Sequence, residues 1–237
     1  MWTYLAILIS LLIPIIIYIH KFHVYKINKN KTIEEKTHKE KIKEYKTETK
    51  EKVTKKEKTE AEIKYTKAIS SLEDGDEEEG IKQLIQALAL NPLHIKTSDT
   101  LAKIYIKKQM YSSASAILKQ LINIEEKPEH YSHLGLAYYQ QNLFEDAKYA
   151  YQQAIILDKD RPQRYISLAQ VYRALKQPYN SIISINKALE YDSDNINYLL
   201  LLTELFNEVG DNKNAQKTIK KMDKINDVKL INEDLKS

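Results

Sequence analysis

His130 and His133 are the two residues whose types and spacing come closest to a chemical site. They lie three positions apart in a segment predicted to be helical, so both imidazole rings can face the same side of that helix. Two imidazoles supply at most half of the four ligands of a zinc ion, and no third ligand accompanies them. The pair therefore predicts no metal site, and we interpret both histidines as packing or surface residues.

The residue patterns of other catalytic sites are also missing. The sequence contains no H-E-x-x-H zinc motif, no G-x-S-x-G nucleophile turn and no glycine-rich phosphate loop, and it has only four glycines in 237 residues. It has no cysteine, which excludes thiol nucleophiles, thiolate zinc sites and disulfides. We predict a protein that is not an enzyme, with no catalytic residue, no cofactor, no bound metal and no small-molecule substrate.

The acidic run formed by Asp76 and the following "EEEG" has a structural explanation. Aspartate is a preferred N-cap residue, and the helix dipole favours negative charge in the first turn. The run therefore predicts the start of a helix and does not require a calcium ion.

The beginning of the sequence is an apolar segment, "WTYLAILISLLIPIIIYI", which runs from Trp2 to Ile19. Eighteen residues of helix extend roughly 27 Å, which is enough to cross a hydrocarbon core about 30 Å thick. Aromatic residues at both ends are typical of the membrane interface, and spanning helices tolerate Pro14. We predict a transmembrane helix over residues 2–19. A cleaved signal peptide and a buried core helix are the alternatives, although a positive start and a small-residue cleavage site are missing.

The charges that flank this segment predict its orientation. Lys21, Lys26, Lys29 and Lys31 follow it, whereas only the terminal amine precedes it. Since positive residues stay on the cytoplasmic side, we expect a single-pass membrane protein whose following domains lie in the cytoplasm.

A charged linker is predicted over residues 20–60. From His20 to Lys64, fifteen lysines accompany nine glutamates, so this segment has a formal charge of 15 − 9 = +6, against +4 for the whole chain. Glutamate–lysine pairs four residues apart, such as Glu48 with Lys52, favour a helix, whereas six threonines oppose it. We interpret the segment as a partly helical, solvated spacer. Contact of its lysines with anionic lipid and nonspecific binding of nucleic acid are the alternatives, and no specific nucleic-acid ligand is expected.

The rest of the chain carries an internal repeat. A small residue recurs at intervals of 33 or 34 residues, a second small residue recurs with it, and an aromatic residue follows the first small residue by three positions in four units. The first set is Ala68, Ala102, Gly135, Ala169 and Thr203; the second is Gly80, Ala114, Ala147, Ser181 and Ala215; the aromatics are Tyr105, Tyr138, Tyr172 and Phe206. Small residues let helix backbones approach one another, so we predict pairs of packed helices.

This pattern resembles the tetratricopeptide repeat, a helix–turn–helix unit of about 34 residues. The resemblance covers five units, at residues 61–94, 95–127, 128–161, 162–195 and 196–229. It implies an all-α solenoid of five stacked helix pairs, and we expect a short capping helix over residues 228–237.

In this family the first helix of each unit lines a concave groove that binds peptides. The groove positions that the resemblance assigns are Lys96, Asp99, Lys103 and Lys107 in the second unit, Glu129, Ser132, Leu136, Tyr139 and Gln140 in the third, Gln163, Ile166, Gln170 and Arg173 in the fourth, and Asn197, Leu200, Glu204, Asn207 and Glu208 in the fifth. The candidate partner-binding residues among them are Lys96, Lys103, Lys107, Tyr139, Gln140, Gln170, Arg173, Glu204, Asn207 and Glu208. The groove is expected to run from basic to acidic, with charge setting the direction of the ligand.

These predictions combine into a membrane-anchored adaptor. We expect it to bind a partner protein or peptide in the groove, on the cytoplasmic side of a membrane that residues 2–19 span. The alternative is an exported or periplasm-facing repeat protein that assists secretion or envelope assembly. An enzyme or enzyme subunit is a third hypothesis.

Overall fold

The computed structural model describes residues 40–50 and 52–234, with the backbone alone from residue 228 onward. The chain divides into two units between Thr54 and Lys55. In the first unit residues 40–50 form helix α1, and Lys52 Nζ lies 3.4 Å from Glu48 Oε2, as the four-residue spacing predicts. The predicted transmembrane helix over residues 2–19 lies outside the described residues. Among the described helices, none has both the length and the apolar composition needed to cross a membrane.

The second unit is a stack of five helix pairs. Each helix packs against the next one along the chain, and the predicted all-α solenoid is confirmed. The pairs are α2 (Lys55–Glu73) with α3 (Glu77–Leu90), α4 (Ile95–Lys107) with α5 (Tyr111–Ile124), α6 (Pro128–Gln140) with α7 (Phe144–Leu157), α8 (Pro162–Ala174) with α9 (Pro178–Tyr191), and α10 (Ile196–Glu208) with α11 (Asn212–Asp234). Asp76 caps α3 as predicted, because its carboxylate accepts a hydrogen bond from the Glu79 N–H at 3.0 Å.

The recurring small residues lie where the paired helices approach most closely. All ten are buried. In the third pair, a Cβ added to Gly135 would lie 2.9 Å from ring carbons of Tyr151, whose side chain is itself buried. In the fourth pair, Ser181 Oγ donates to the Ala169 carbonyl oxygen at 2.8 Å. The interpretation of these positions as packing residues is therefore confirmed.

The turn inside every helix pair has the same backbone conformation. One residue in each turn has a left-handed φ between 59° and 86°. The N–H of the next residue donates to the carbonyl oxygen five positions earlier, at 2.8–3.0 Å, which is the Schellman motif that ends many helices. The left-handed residues are Gly75, Gln109, Asn142, Lys176 and Gly210.

Apolar cores form between consecutive pairs as well as within them. Leu118 and Leu121 of α5 share a core with Leu134 of α6. Ile185 of α9 shares a core with Leu202 of α10. Because each pair completes the core of the next, the pairs stabilise one another as a stack.

The C-terminal end corrects one prediction. Residues 228–234 are the last turns of α11, and no separate capping helix begins there. Neither glycine nor proline follows Gly210 in the sequence, so α11 meets no residue that would end it. Ile182 and Leu189 of α9 pack toward α10. The equivalent positions of α11 are occupied by Gln216 and Asp223, which are exposed. The described part of α11 therefore presents a polar face where a sixth pair would pack.

Candidate functional site

The first helices of consecutive pairs form one wall of the stack, which we call the inner wall (α4, α6, α8 and α10). α4 contacts α6 directly and α6 contacts α8. Tyr139 is half-buried and packs against Phe144, with ring centroids 5.5 Å apart. The remaining candidate partner-binding residues are exposed on this wall: Lys96, Lys103 and Lys107 on α4, Gln140 on α6, Gln170 and Arg173 on α8, and Glu204, Asn207 and Glu208 on α10.

At the basic end of the inner wall, two of the three lysines have acidic partners. Lys96 Nζ lies 3.5 Å from Glu62 Oε1. Lys103 Nζ lies 2.7 Å from Asp99 Oδ2, one helical turn away on α4. Lys107 has no ion pair within the described residues. Acidic side chains of α2 and α4 therefore offset two of the three positive charges at the expected basic end.

At the acidic end, Arg173 pairs with two glutamates of the next pair. Its NH1 donates to Glu204 Oε2 at 3.1 Å, and its NH2 donates to Glu208 Oε1. The hydrogen bond to Glu208 is the main reason why the pKa of Arg173 is raised, and Glu204 adds to it. One positive charge against two negative charges leaves 1 − 2 = −1 at this end, so the expected gradient from basic to acidic is weakened but keeps its direction.

The sequence interpretation missed Arg164, whose side chain is only 7% exposed. Its Nε donates to Ser132 Oγ at 3.1 Å and its NH2 donates to Glu129 Oε1 at 3.2 Å, which joins α8 to α6. Its NH1 donates to the Asp158 carbonyl oxygen at 2.7 Å and lies 2.6 Å from the Asp158 carboxylate. The hydrogen bond from Arg164 lowers the pKa of Asp158. Arg164 therefore fixes the packing of the fourth helix pair against the third.

Arg164 belongs to a column of buried polar residues at one register position: Thr97, His130, Arg164 and Tyr198. They stand 33 or 34 residues apart. The Tyr198 hydroxyl accepts a hydrogen bond from Gln163 Nε2 of the preceding pair at 2.9 Å. A polar residue that recurs at a buried position of the repeat was the signal in the sequence that could have revealed Arg164.

His130 has the surroundings of an interior packing residue. Its side chain is buried, its Nδ1 lies 3.0 Å from the Glu125 carbonyl oxygen, and its Nε2 lies 3.8 Å from Asp99 Oδ1. Burial lowers the pKa of its neighbour His133. Within the part of the chain that the structure describes, no group of three or more histidine, aspartate and glutamate side chains is placed to hold a metal ion.

The fourth helix pair matches a known family. Residues 162–195 fit the family model of the tetratricopeptide repeat, and they are the residues of the fourth unit in the sequence pattern. The fourth pair is a tetratricopeptide repeat. The other pairs share its helix lengths and its Schellman turn, except that α2 and α11 are longer.

Several solved structures are similar to the stack of helix pairs. A crystal structure of MamA has a TM-score of 0.68 and 22% identity over 72% of this chain and 93% of that chain. MamA from Desulfovibrio magneticus RS-1 has a TM-score of 0.64 and 15% identity over 71% and 96%. YrrB, described as "a TPR protein with an unusual peptide-binding site", has a TM-score of 0.61 and 13% identity over 68% and 84%. At such identities the likeness establishes the fold alone.

A curated relative gives a closer match in sequence over a shorter range. The TPR repeat-containing protein YpiA of Bacillus subtilis is 29% identical over 129 residues, which are 53% of this chain and 30% of YpiA. This chain therefore matches less than a third of the length of that relative.

Proposed function

We propose that the protein is a scaffold without enzymatic activity that binds a segment of a partner protein along its inner wall. The observation that carries this proposal is the exposure of nine of the ten candidate side chains on the first helices of four consecutive pairs. A wall of stacked helices offers a long surface on which an extended or helical segment can lie. YrrB has a peptide-binding site, and the fold that it shares with this chain supports the same use here.

Site-specific photo-crosslinking in cells tests this proposal. A photoreactive residue at Gln170 would lie on the inner wall, whereas one at Tyr179, which is 69% exposed on α9, would lie on the second helix of the same pair. We expect one defined adduct from position 170, identified by mass spectrometry, and none of that mass from position 179. An adduct of the same mass from both positions, or from position 179 alone, would contradict binding at the inner wall.

We further propose that residues 2–19 anchor the protein in a membrane and that the helix pairs face the cytoplasm. The uncharged apolar run and the lysines that follow it support this orientation. An anchor raises the local concentration of the inner wall at the membrane, so that micromolar affinity for a partner would be sufficient.

Reporter fusions at the C-terminus test the orientation. We expect a fluorescent cytoplasmic reporter to be active there and alkaline phosphatase to be inactive. Active phosphatase with an inactive cytoplasmic reporter would reject this orientation and favour the exported alternative. A fusion protein that remains soluble after lysis would reject the anchor itself.

A further inference from the structure

Three aliphatic side chains lie on consecutive first helices of the inner wall, Leu136 on α6, Ile166 on α8 and Leu200 on α10, and we call them the inner apolar strip. Ile166 and Leu200 stand 34 residues apart and therefore occupy the same register position in the fourth and fifth pairs. Ser132 holds that position in the third pair, and Leu136 lies one helical turn beyond it. The strip thus crosses three consecutive pairs.

The strip remains accessible although apolar cores lie close behind it. Leu200 is 47% exposed, and Leu136 and Ile166 are half-buried. Ile166 packs on one side against the core between the fourth and fifth pairs. The strip therefore presents apolar side chains that are supported by a packed core. A ligand that covers these side chains would remove apolar surface from water.

Most charged groups of the inner wall are paired with one another, and Lys107 is the exception among the candidate residues that the structure describes. Lys103 pairs with Asp99 at 2.7 Å on α4. Arg173 of α8 binds Glu204 and Glu208 of α10, and Glu129 of α6 is held by Arg164. A charged ligand would have to separate these pairs or compete with them. An uncharged apolar ligand would leave them intact.

From this arrangement we infer the chemical class of the ligand, on the basis of the binding function proposed above. The ligand is a peptide segment whose contacting side chains are aliphatic or aromatic and uncharged, and it lies over the inner apolar strip. Its affinity comes mainly from covering the strip, and ion pairs make a minor contribution.

A random peptide display library, selected on the immobilised full chain, tests this inference. We expect enrichment of peptides rich in leucine, isoleucine and phenylalanine with net charge near zero. Binding of the enriched peptides should weaken about tenfold in the Leu200→Ser variant, since one aliphatic side chain then no longer contributes its buried area. The matched control is Ile183→Ser, which removes a side chain that is 59% exposed on the second helix α9 and should leave affinity unchanged.

Salt dependence provides an independent measurement. Between about 0.1 M and about 1 M salt the Debye length falls from ~10 Å to ~3 Å, so affinity that depends on ion pairs drops steeply. We expect the enriched peptides to lose less than about twofold in affinity over this range, because their contacts are apolar.

The possible outcomes separate the inference from the proposed function. Enrichment of charged peptides whose binding is salt-sensitive and is lost in Lys107→Glu or Gln170→Glu would overturn the apolar class while leaving binding at the inner wall in place. Peptides that bind the wild type, Leu200→Ser and Gln170→Glu equally would overturn both. The protein could also self-associate in a concentration-dependent way that Leu200→Ser abolishes and Ile183→Ser does not. That result would show that a second copy covers the strip, and it would also overturn the inference.

Discussion

Gly135 shows how a single residue sets the distance between two helices. The Tyr151 ring occupies the space in which a Cβ would stand, and both residues are buried. Alanine would fit the helix better than glycine by about 1 kcal/mol, whereas inserting a methyl group into a packed core costs about 1–3 kcal/mol. The steric effect should therefore dominate.

We predict that Gly135→Ala lowers the free energy of unfolding by about 1 kcal/mol, measured by chemical denaturation. In a Tyr151→Ala background the same substitution should become neutral or stabilising, since the ring is absent. A stabilising effect of Gly135→Ala in both backgrounds would show that the close approach does not limit packing.

A second prediction concerns Tyr151 and the stability of the protein at alkaline pH. Burial raises the pKa of its phenol from 10.0 to about 12. The unfolded chain releases this proton near the ordinary pKa, whereas the folded chain retains it. The stability that the neutral phenol contributes is therefore complete below pH 10 and is lost as the pH rises toward 12.

The measurement is the free energy of unfolding of the wild type and of Tyr151→Phe as a function of pH. Their difference isolates this phenol from those of Tyr131 and Tyr138, whose pKa values are also raised. We expect the wild type to lose stability relative to the variant between pH 10 and 12, and a constant difference across that range would contradict the prediction.

At the scale of the element, the turns are the feature that makes all five helix pairs alike. Each turn requires one residue with left-handed φ, a conformation that costs most non-glycine residues roughly 1 kcal/mol. Two units place glycine there, one places asparagine, and two accept Gln109 and Lys176. The Schellman hydrogen bonds and the packing of the two helices maintain the turn even where the residue is unfavourable.

A matched exchange at equivalent positions tests this account. We predict that Gly210→Lys lowers the free energy of unfolding by about 1 kcal/mol. Lys176→Gly should raise it by a similar amount, because the left-handed φ and the freedom of glycine in the unfolded chain enter the two exchanges with opposite signs. Thermal denaturation of both variants measures the effects, and changes of the same sign in the two variants would contradict this account.

At the scale of the whole molecule, the stack depends on how each pair is fixed to the next. Arg164 and Arg173 lie on the same helix, and both bind the neighbouring pair, but Arg164 is buried and Arg173 is exposed. Exposed ion pairs contribute about 0.2–1 kcal/mol, whereas each buried hydrogen-bonding group left without a partner costs about 1–3 kcal/mol. The two arginines should therefore differ strongly in their effect on the stack.

We predict that Arg164→Leu destabilises the protein several times more than Arg173→Leu. Hydrogen exchange should show the loss of protection concentrated in α6 and α8, on both sides of the junction that Arg164 forms. Similar effects of the two substitutions would indicate that apolar packing alone sets the coupling between these pairs.

The sequence by itself determined the period of about 34 residues, the helix pairs and the buried small residues, because these depend on composition and on residues close in the chain. It also located the Asp76 cap. Only the tertiary structure showed that Arg173 pairs with Glu204 and Glu208 and that Arg164 joins the third and fourth pairs. The physical reason is that side chains some 30 to 35 positions apart meet only when consecutive pairs stack, and their charges and apolar surfaces then act on one another.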